Sequence, residues 1–78
     1  MQFVYILQCS DDHLYTGCTE NLEERLKRHN SGHVPATKSR LPVVLLTYIG
    51  FTNKQKAFAF EKYLKSGSGK ALLKKRLI

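Results

Sequence analysis

Tyr5 and Tyr15 are spaced so that two phenol groups could act at one site. Tyr5 lies in an apolar run of strand length, a short polar turn follows, and Tyr15 lies on the predicted return strand. In a hairpin that pairs Cys9 with His13, the register of every other pair is fixed. Tyr5 then lies opposite Gly17, whose missing side chain leaves a notch, and Tyr15 is its diagonal neighbour on the same face. The two phenols are a candidate site, although aromatic residues also occur in strands for packing alone.

A cation and an imidazole are predicted on the first helix, which begins with a capping pattern at Asn21–Glu24 and ends at Gly32. His29 falls on the apolar stripe of this helix. Arg25 lies four residues earlier, at the border of the same stripe, so the two side chains are neighbours on the helix surface. Both are therefore expected to point towards whatever the helix covers.

Glu61 is the single acidic residue among residues 34–78, which carry ten lysines and arginines. It falls on an apolar helical stripe with Ala57 and Leu64, where a carboxylate is costly unless it is paired or bound to a metal. An ion pair with Arg25 or with a lysine is one explanation. The other is a ligand for Mg²⁺ or Mn²⁺, since such ions accept one carboxylate, retain several waters and leave room for a phosphate.

The two cysteines do not indicate a zinc site. Eight residues separate Cys9 from Cys18, and the sequence contains no Cys-x2-Cys or His-x3-His pair, so the spacing matches no common zinc framework. No basic leader precedes the first apolar run, and no run approaches the roughly 18 apolar residues of a membrane helix. We therefore expect reduced thiols, a cytoplasmic location that could include the nucleoid, and no membrane partner.

Charge is distributed unevenly along the chain, which has a net charge of +7 and a pI of about 9.7. Residues 1–33 hold five acidic and three basic residues, a net charge of −2, whereas residues 34–78 have a net charge of +9. This asymmetry favours a nucleic acid as partner over a merely solvated lysine surface. We expect the phosphate contacts to be made by Lys38, Arg40, Lys65, Lys70, Lys74 and Lys75.

The elements that carry these residues are predicted to follow the order β-β-α-β-α-α. The corresponding α/β (α+β) fold is a three-stranded antiparallel sheet flanked by helices. The nearly continuous apolar run at residues 43–51 predicts a third strand that is buried on both faces. A capping box at Thr52 predicts the start of the second helix, Gly67 its end, and Ser68 the start of the third.

Several of these residues together resemble the GIY-YIG nuclease family. The first motif is Phe3-Val4-Tyr5 in this sequence, the second is Tyr15-Thr16-Gly17, and Thr19 follows shortly after. Arg25, His29 and Glu61 then occur in the expected order. The resemblance covers nearly the whole chain and is greatest to the small stand-alone bacterial members, which implies a single nuclease domain over residues 1–78.

Two departures from the family pattern are visible. Phe3 occupies the place of the first glycine, where many members vary. Many members also place an asparagine after the metal-binding glutamate, and residues 62–78 contain none, which puts support of the metal site or positioning of the substrate in question.

The resemblance implies a metal-dependent endonuclease that hydrolyses phosphodiester bonds in DNA, in repair or processing. A single Mg²⁺ or Mn²⁺ would be the cofactor, and charge alone does not exclude RNA. A phenol with an ordinary pKa near 10 needs a nearby cation to act as a base at neutral pH. The implied roles are activation of water by Tyr5 or Tyr15, stabilisation of the phosphate by Arg25, proton transfer by His29, metal binding by Glu61, and motif backbone at Gly17 and Thr19.

Two other functions stay open at this point. One is a non-catalytic nucleic-acid-binding module of the same fold, and the other is an adaptor that acts with an unidentified protein partner. The sequence leaves the oligomeric state open. If the chain is an enzyme, Tyr5, Tyr15, Arg25, His29 and Glu61 are expected to converge on one surface pocket.

Overall fold

A three-stranded antiparallel sheet, with strand order β2-β1-β3, separates two layers of helix. The computed structural model describes residues 1–77. The predicted antiparallel sheet and element order are confirmed. In chain order the elements are β1 (Gln2–Gln8), β2 (Leu14–Thr19), α1 (Leu22–Asn30), β3 (Val44–Phe51), α2 (Lys54–Leu64), α3 (Gly67–Leu72) and a π-helical stretch at Leu73–Leu77.

The β1–β2 hairpin has the predicted register. The amide of Cys9 donates to the carbonyl of His13 at 2.8 Å, and Tyr5 lies directly opposite Gly17. Asp12 closes the turn with a positive φ of 67°, a conformation that Asn and Asp tolerate better than most residues. The register therefore follows from local turn chemistry.

Alternation of side chains along β1 produces two small cores on opposite faces of the sheet. The face towards α2 and α3 buries Val4, Ile6, Ala57, Leu64 and Leu73. The face towards α1 buries Tyr5, Leu7, Cys9 and Val43, with Leu22 and Leu26 of the helix packed against them. Cys9 and Cys18 are free thiols.

The helix caps agree with the prediction for α1 and differ for the later helices. Asn21 caps α1 as expected, with its side-chain oxygen accepting from the amide of Glu24 at 3.1 Å. The cap of α2 is Asn53 rather than Thr52, because the more favourable Asn cap lies one residue later. Ser66, not Ser68, caps α3, so the predicted terminator Gly67 is instead the first residue of that helix.

The prediction that the third strand is buried on both faces is wrong. β1 occupies the centre of the sheet, so β3 is an edge strand with only one paired neighbour. Val44, Leu46 and Tyr48 are 57%, 38% and 53% exposed. Among residues 1–77, no helix is long and apolar enough to cross a membrane.

Candidate active site

Tyr5, on the central strand, is the fully buried centre of the candidate site. Its ring lies over Gly17, where a Cβ atom would collide with the ring and the hydroxyl. The notch predicted beside Gly17 is therefore filled by the ring of Tyr5 itself. Because Gly17 has no side chain, the phenol can pack directly against the neighbouring strand.

His29 joins the phenol to a third buried side chain. The hydroxyl of Tyr5 and Nε2 of His29 are 2.9 Å apart, and Nδ1 of His29 is 2.7 Å from Oγ1 of Thr37. His29 and Thr37 are both fully buried. His29 lies on the buried face of α1, as predicted, and both of its ring nitrogens form hydrogen bonds inside the protein.

Tyr15 and Arg25 complete the group on this face of the sheet. The ring of Tyr15 is centred 5.1 Å from the imidazole of His29 and 6.3 Å from the ring of Tyr5. The positive charge of Arg25 lies near enough to the Tyr5 phenol to favour its ionised form. Four of the five residues predicted to be catalytic are thus grouped on one face of the sheet by one hairpin and one helix. The predicted convergence on one surface pocket is not observed, because Tyr5 and His29 are fully buried and Tyr15 and Arg25 line different cavities.

The surroundings shift the pKa of the Tyr5 phenol and the pKa of the His29 imidazole in opposite directions. Burial, with help from the nearby Tyr15 and Glu61, raises the pKa of Tyr5 to about 12, against the opposing effect of Arg25. Burial also lowers the pKa of His29, and the positive charges of Arg25 and Arg28 lower it further. At neutral pH the phenol is therefore protonated and the imidazole is neutral, a state in which it can accept a proton.

Glu61 approaches from the helix layer on the opposite face of the sheet. Its side chain is 21% exposed and pairs with Lys65 at 3.3 Å, so of the two predicted ion pairs the lysine is the partner. Lys65 in turn lines a cavity together with Tyr15 and Thr16 of the edge strand β2. Glu61 therefore lies next to the free edge of β2, close enough for its charge to act on Tyr5.

The cavity at the β2 edge is about 530 Å³ in volume, and its lining includes Tyr15, Asp12 and three leucines; we call it the basic groove because of its lysines. Three predicted phosphate-binding residues, Lys65, Lys70 and Lys74, line it. The other three predicted cations lie elsewhere. Lys38 and Lys75 are exposed outside the groove, and Arg40 pairs with Asp11 in the hairpin turn at 3.4 Å.

Thr19 has a structural position beside the site. Its buried hydroxyl accepts a hydrogen bond from the amide of Asn21 at 3.1 Å and so fixes the turn from β2 into α1. This turn sets the position of Arg25. A second cavity, of about 430 Å³, lies on that side and is lined by Arg25, Arg28 and Thr19, among others.

The residues present are compatible with one kind of metal site. Within residues 1–77, no group of three or more His, Cys, Asp and Glu side chains converges to enclose an ion. Glu61 offers one partly exposed carboxylate beside the basic groove, which suits an ion that keeps most of its water and also binds phosphate oxygens. Its present partner, Lys65, is 56% exposed, and such surface pairs are weak enough to exchange.

Thr37 was not among the residues that the sequence indicated. It lies between α1 and β3, eight residues after His29, in a segment for which the sequence predicts a loop with room for one helical turn near Ala36. No local pattern marks a buried threonine there. Only the folded arrangement of α1 and the loop shows that its hydroxyl meets the imidazole.

The comparison with known families agrees with this arrangement. A family model described as the GIY-YIG catalytic domain matches residues 1–76. The chain belongs to the GIY-YIG family. It is thereby a member of a nuclease family, whose enzymes act on DNA.

Relatives of this GIY-YIG protein include a UPF0213 protein of Clostridium perfringens, 48% identical over 66 residues, covering 83% of this chain and 71% of that one. The UPF0213 protein YsiG of Lactococcus lactis is 53% identical over 64 residues, covering 81% of this chain and 62% of that one. A solution NMR structure of a UPF0213 protein from Bacillus halodurans matches with a TM-score of 0.59 and 36% identity, covering 94% of this chain and 82% of the other. These names state no activity.

Proposed function

We propose that this protein is a divalent-metal-dependent endonuclease that hydrolyses phosphodiester bonds in DNA. The observation that carries the proposal is the buried hydrogen bond between Tyr5 and His29. The charge of Arg25 acts on the same phenol, and Tyr15 lies next to the imidazole and also lines the cavity that contains three lysines. The phenol and the neutral imidazole in hydrogen-bond contact provide a proton path, and the nearby guanidinium provides a positive charge for a phosphate. The family supports DNA as the substrate.

Tyr5 is the phenol that we assign to proton transfer. Its hydroxyl has a proton acceptor in place, Nε2 of His29, whereas Tyr15 lines the groove and is better placed to contact the substrate. With a pKa of about 12, Tyr5 is not ionised in advance. It would instead take a proton from the attacking water while passing its own proton to His29, so that the imidazole is the final acceptor.

Arg25 and the groove lysines supply the positive charge. Arg25 is next to the phenol and would stabilise the negative charge that builds on the phosphate in the transition state. Lys65, Lys70 and Lys74 would hold the DNA backbone on the side of Tyr15. A Mg²⁺ or Mn²⁺ ion, when bound at Glu61, would supply further charge stabilisation at the leaving oxygen.

A non-catalytic DNA-binding module of the same fold is the second candidate. The absence of an asparagine from residues 62–78 favours it, since many family members place one after the glutamate. Against it, a binding surface has no need for a phenol hydrogen-bonded to a buried neutral imidazole. Work in DNA repair or processing, in the cytoplasm at the nucleoid, belongs to the enzymatic proposal.

The test is incubation of the protein with plain, nicked, flapped and branched DNA in the presence of Mg²⁺ or Mn²⁺. We expect cleavage of at least one substrate by the wild type. Glu61→Gln should cut at least about 100-fold more slowly with little change in DNA affinity, because metal charge acts mainly in the transition state. The matched control is Glu23→Gln, since Glu23 is exposed and paired with Lys27 away from the groove.

Two outcomes would contradict the proposal. Tight DNA binding by the wild type without cleavage of any substrate, with either ion, would favour the binding module. A folded Glu61→Gln variant that cuts as fast as the Glu23→Gln control would eliminate Glu61 as the metal ligand. The thermal midpoint of each variant shows whether a loss of cleavage reflects unfolding instead.

A further inference from the structure

Three buried side chains share two hydrogen bonds in a line from the sheet to the loop. Tyr5 contacts Nε2 of His29 at 2.9 Å, and Thr37 contacts Nδ1 of the same ring at 2.7 Å. A neutral imidazole carries one hydrogen, on one nitrogen or the other. The hydrogens must therefore be arranged in one of two ways, and the two arrangements have opposite chemical consequences.

The neighbours of Tyr5 select between the two arrangements. Arg25, which acts on the phenol oxygen, is a donor only and cannot accept the phenol hydrogen. Nε2 of His29 is the hydrogen-bond partner that the structure gives the Tyr5 hydroxyl, and the contact is buried. The phenol hydrogen is thus directed to Nε2 of His29, which must then be unprotonated, and the imidazole hydrogen is on Nδ1 and donates to Thr37.

We propose that Thr37 is a positioning residue that accepts a hydrogen bond from Nδ1–H of His29 and so keeps Nε2 free to receive the proton of Tyr5. Its catalytic consequence rests on the proposed endonuclease function. The hydrogen placement itself does not, because it follows from contacts in the free protein. A partner on the second nitrogen is the usual means by which proteins fix the tautomer of a functional histidine.

The backbone around Thr37 holds its hydroxyl in place. The amide of Thr37 donates to the carbonyl of Val34 at 3.1 Å, and its carbonyl accepts from the amide of Arg40 at 2.9 Å. Arg40 is in turn tied to Asp11 in the hairpin turn at 3.4 Å. Two successive turns therefore surround Thr37, and Arg40 ties the end of the loop to the hairpin.

Nitrogen-15 NMR of the histidine rings at pH 7.5, on the full chain, tests the hydrogen placement directly. We expect a protonated Nδ1 and an unprotonated Nε2 for His29 in the wild type. His33 is exposed and serves as the internal reference for an unconstrained ring, whereas Nδ1 of His13 is paired with Asp11 at 3.1 Å. The reverse pattern, with hydrogen on Nε2 of His29, would overturn the proposal.

Two substitutions test the part played by Thr37. Thr37→Val keeps the shape but removes the acceptor, so His29 should lose its single tautomer, and Thr37→Ser should retain it. A Thr37→Val protein that keeps hydrogen on Nδ1 alone would show that Thr37 is not responsible. If Thr37→Val does not fold, the NMR spectra of the wild type and of Thr37→Ser still test the proposal. A hydrogen on Nε2 of His29 in either protein would contradict it.

Cleavage assays then test the consequence for the reaction. Thr37→Val should cut about 10- to 100-fold more slowly at unchanged DNA affinity, the size of loss typical when a supporting partner of a functional histidine is removed. Thr37→Ser should recover most of that rate. An unchanged rate in a variant with an altered tautomer would contradict the catalytic part. A wild type that cuts no DNA would refute the proposed function while the NMR result still stands.

Discussion

Gly17 is required by the phenol that lies over it. A side chain at this position would overlap the ring and hydroxyl of Tyr5, which is held from the other side by His29. Gly17→Ala should therefore lower the free energy of unfolding by about 1–3 kcal/mol, the usual cost of overpacking a core, and disturb the Tyr5–His29 contact. Urea denaturation measures the loss.

Gly67→Ala is the matched control for that substitution. A Cβ at Gly67 would meet nothing within 4 Å, and the residue is exposed at the start of α3. It should be neutral or slightly stabilising, because alanine favours the helix and restricts the unfolded chain. Equal stability of Gly17→Ala and wild type would contradict the tight contact with Tyr5.

His29 should give the stability of the protein a specific pH dependence. Its pKa in the folded protein is lowered from the ordinary value of 6.5, so below that pH the unfolded chain binds more protons. Stability is thus constant above about pH 6.5 and falls below it, by up to about 1.4 kcal/mol per pH unit, until the folded pKa is reached.

Urea titrations at pH 7.5 and 5.5 measure this effect as a difference between variants. The loss of unfolding free energy between the two pH values should be smaller in His29→Gln than in wild type. His33→Gln, at an exposed position, should keep the wild-type loss. An equal loss in all three proteins would show that His29 is not buried in its neutral form.

At the scale of elements, the sequence patterns predicted which segments form helices but not which residues cap α2 and α3. Asn53 caps α2 through a hydrogen bond of 3.0 Å from the amide of Lys56. Asn53→Ala should lower the free energy of unfolding by about 1 kcal/mol, whereas Thr52→Ala should have little effect. Thermal or urea denaturation compares the two, and the opposite ranking would restore Thr52 as the cap.

The register of the hairpin could be predicted from the sequence, whereas the burial of β3 could not. The first depends on local chemistry and the second on the order of strands in the sheet. Turn chemistry between Cys9 and His13 is local, so the register that places Tyr5 against Gly17 is encoded within a few residues. Whether β3 is central or at an edge depends on strand order, which is a property of the whole sheet. An apolar run is compatible with both positions.

At the scale of the whole molecule, three lysines from the basic half of the chain line the same groove as Tyr15. The double variant Lys70→Glu/Lys74→Glu should weaken binding to all DNA sequences alike and flatten the dependence of affinity on salt. Each lost phosphate contact lowers the log-log slope by about 0.9 for duplex DNA. Titration of binding against salt concentration measures the slope.

The control for charge alone is Lys56→Glu/Lys62→Glu, which alters two exposed lysines of α2 that do not line the groove. It changes the net charge by the same amount, so long-range attraction should fall equally. A larger loss of affinity in the groove variant is the expected result. Equal losses would indicate that DNA does not follow the groove.

Some positions of the site residues could be predicted from the sequence, and others could not. Helix phase was sufficient to place Arg25 and His29 towards the sheet. The pairing of Glu61 with Lys65 is a local i,i+4 contact on α2. The approach of Glu61 from the opposite layer, in contrast, depends on how α2 packs against the sheet. Thr37 depends on the course of a loop, for which the sequence carries no periodic signal.

The most direct test of the proposed mechanism is the rate at which Tyr5→Phe cleaves DNA. This substitution keeps the ring that fills the space over Gly17 and removes only the hydroxyl that contacts His29. With saturating DNA and Mg²⁺, we predict a rate at least about 100-fold below wild type, the scale of lost acid–base catalysis, at nearly unchanged affinity. Tyr48→Phe, on the exposed edge strand, should cut at the wild-type rate. A folded Tyr5→Phe protein that cuts as fast as Tyr48→Phe would contradict the proposed role of the buried phenol.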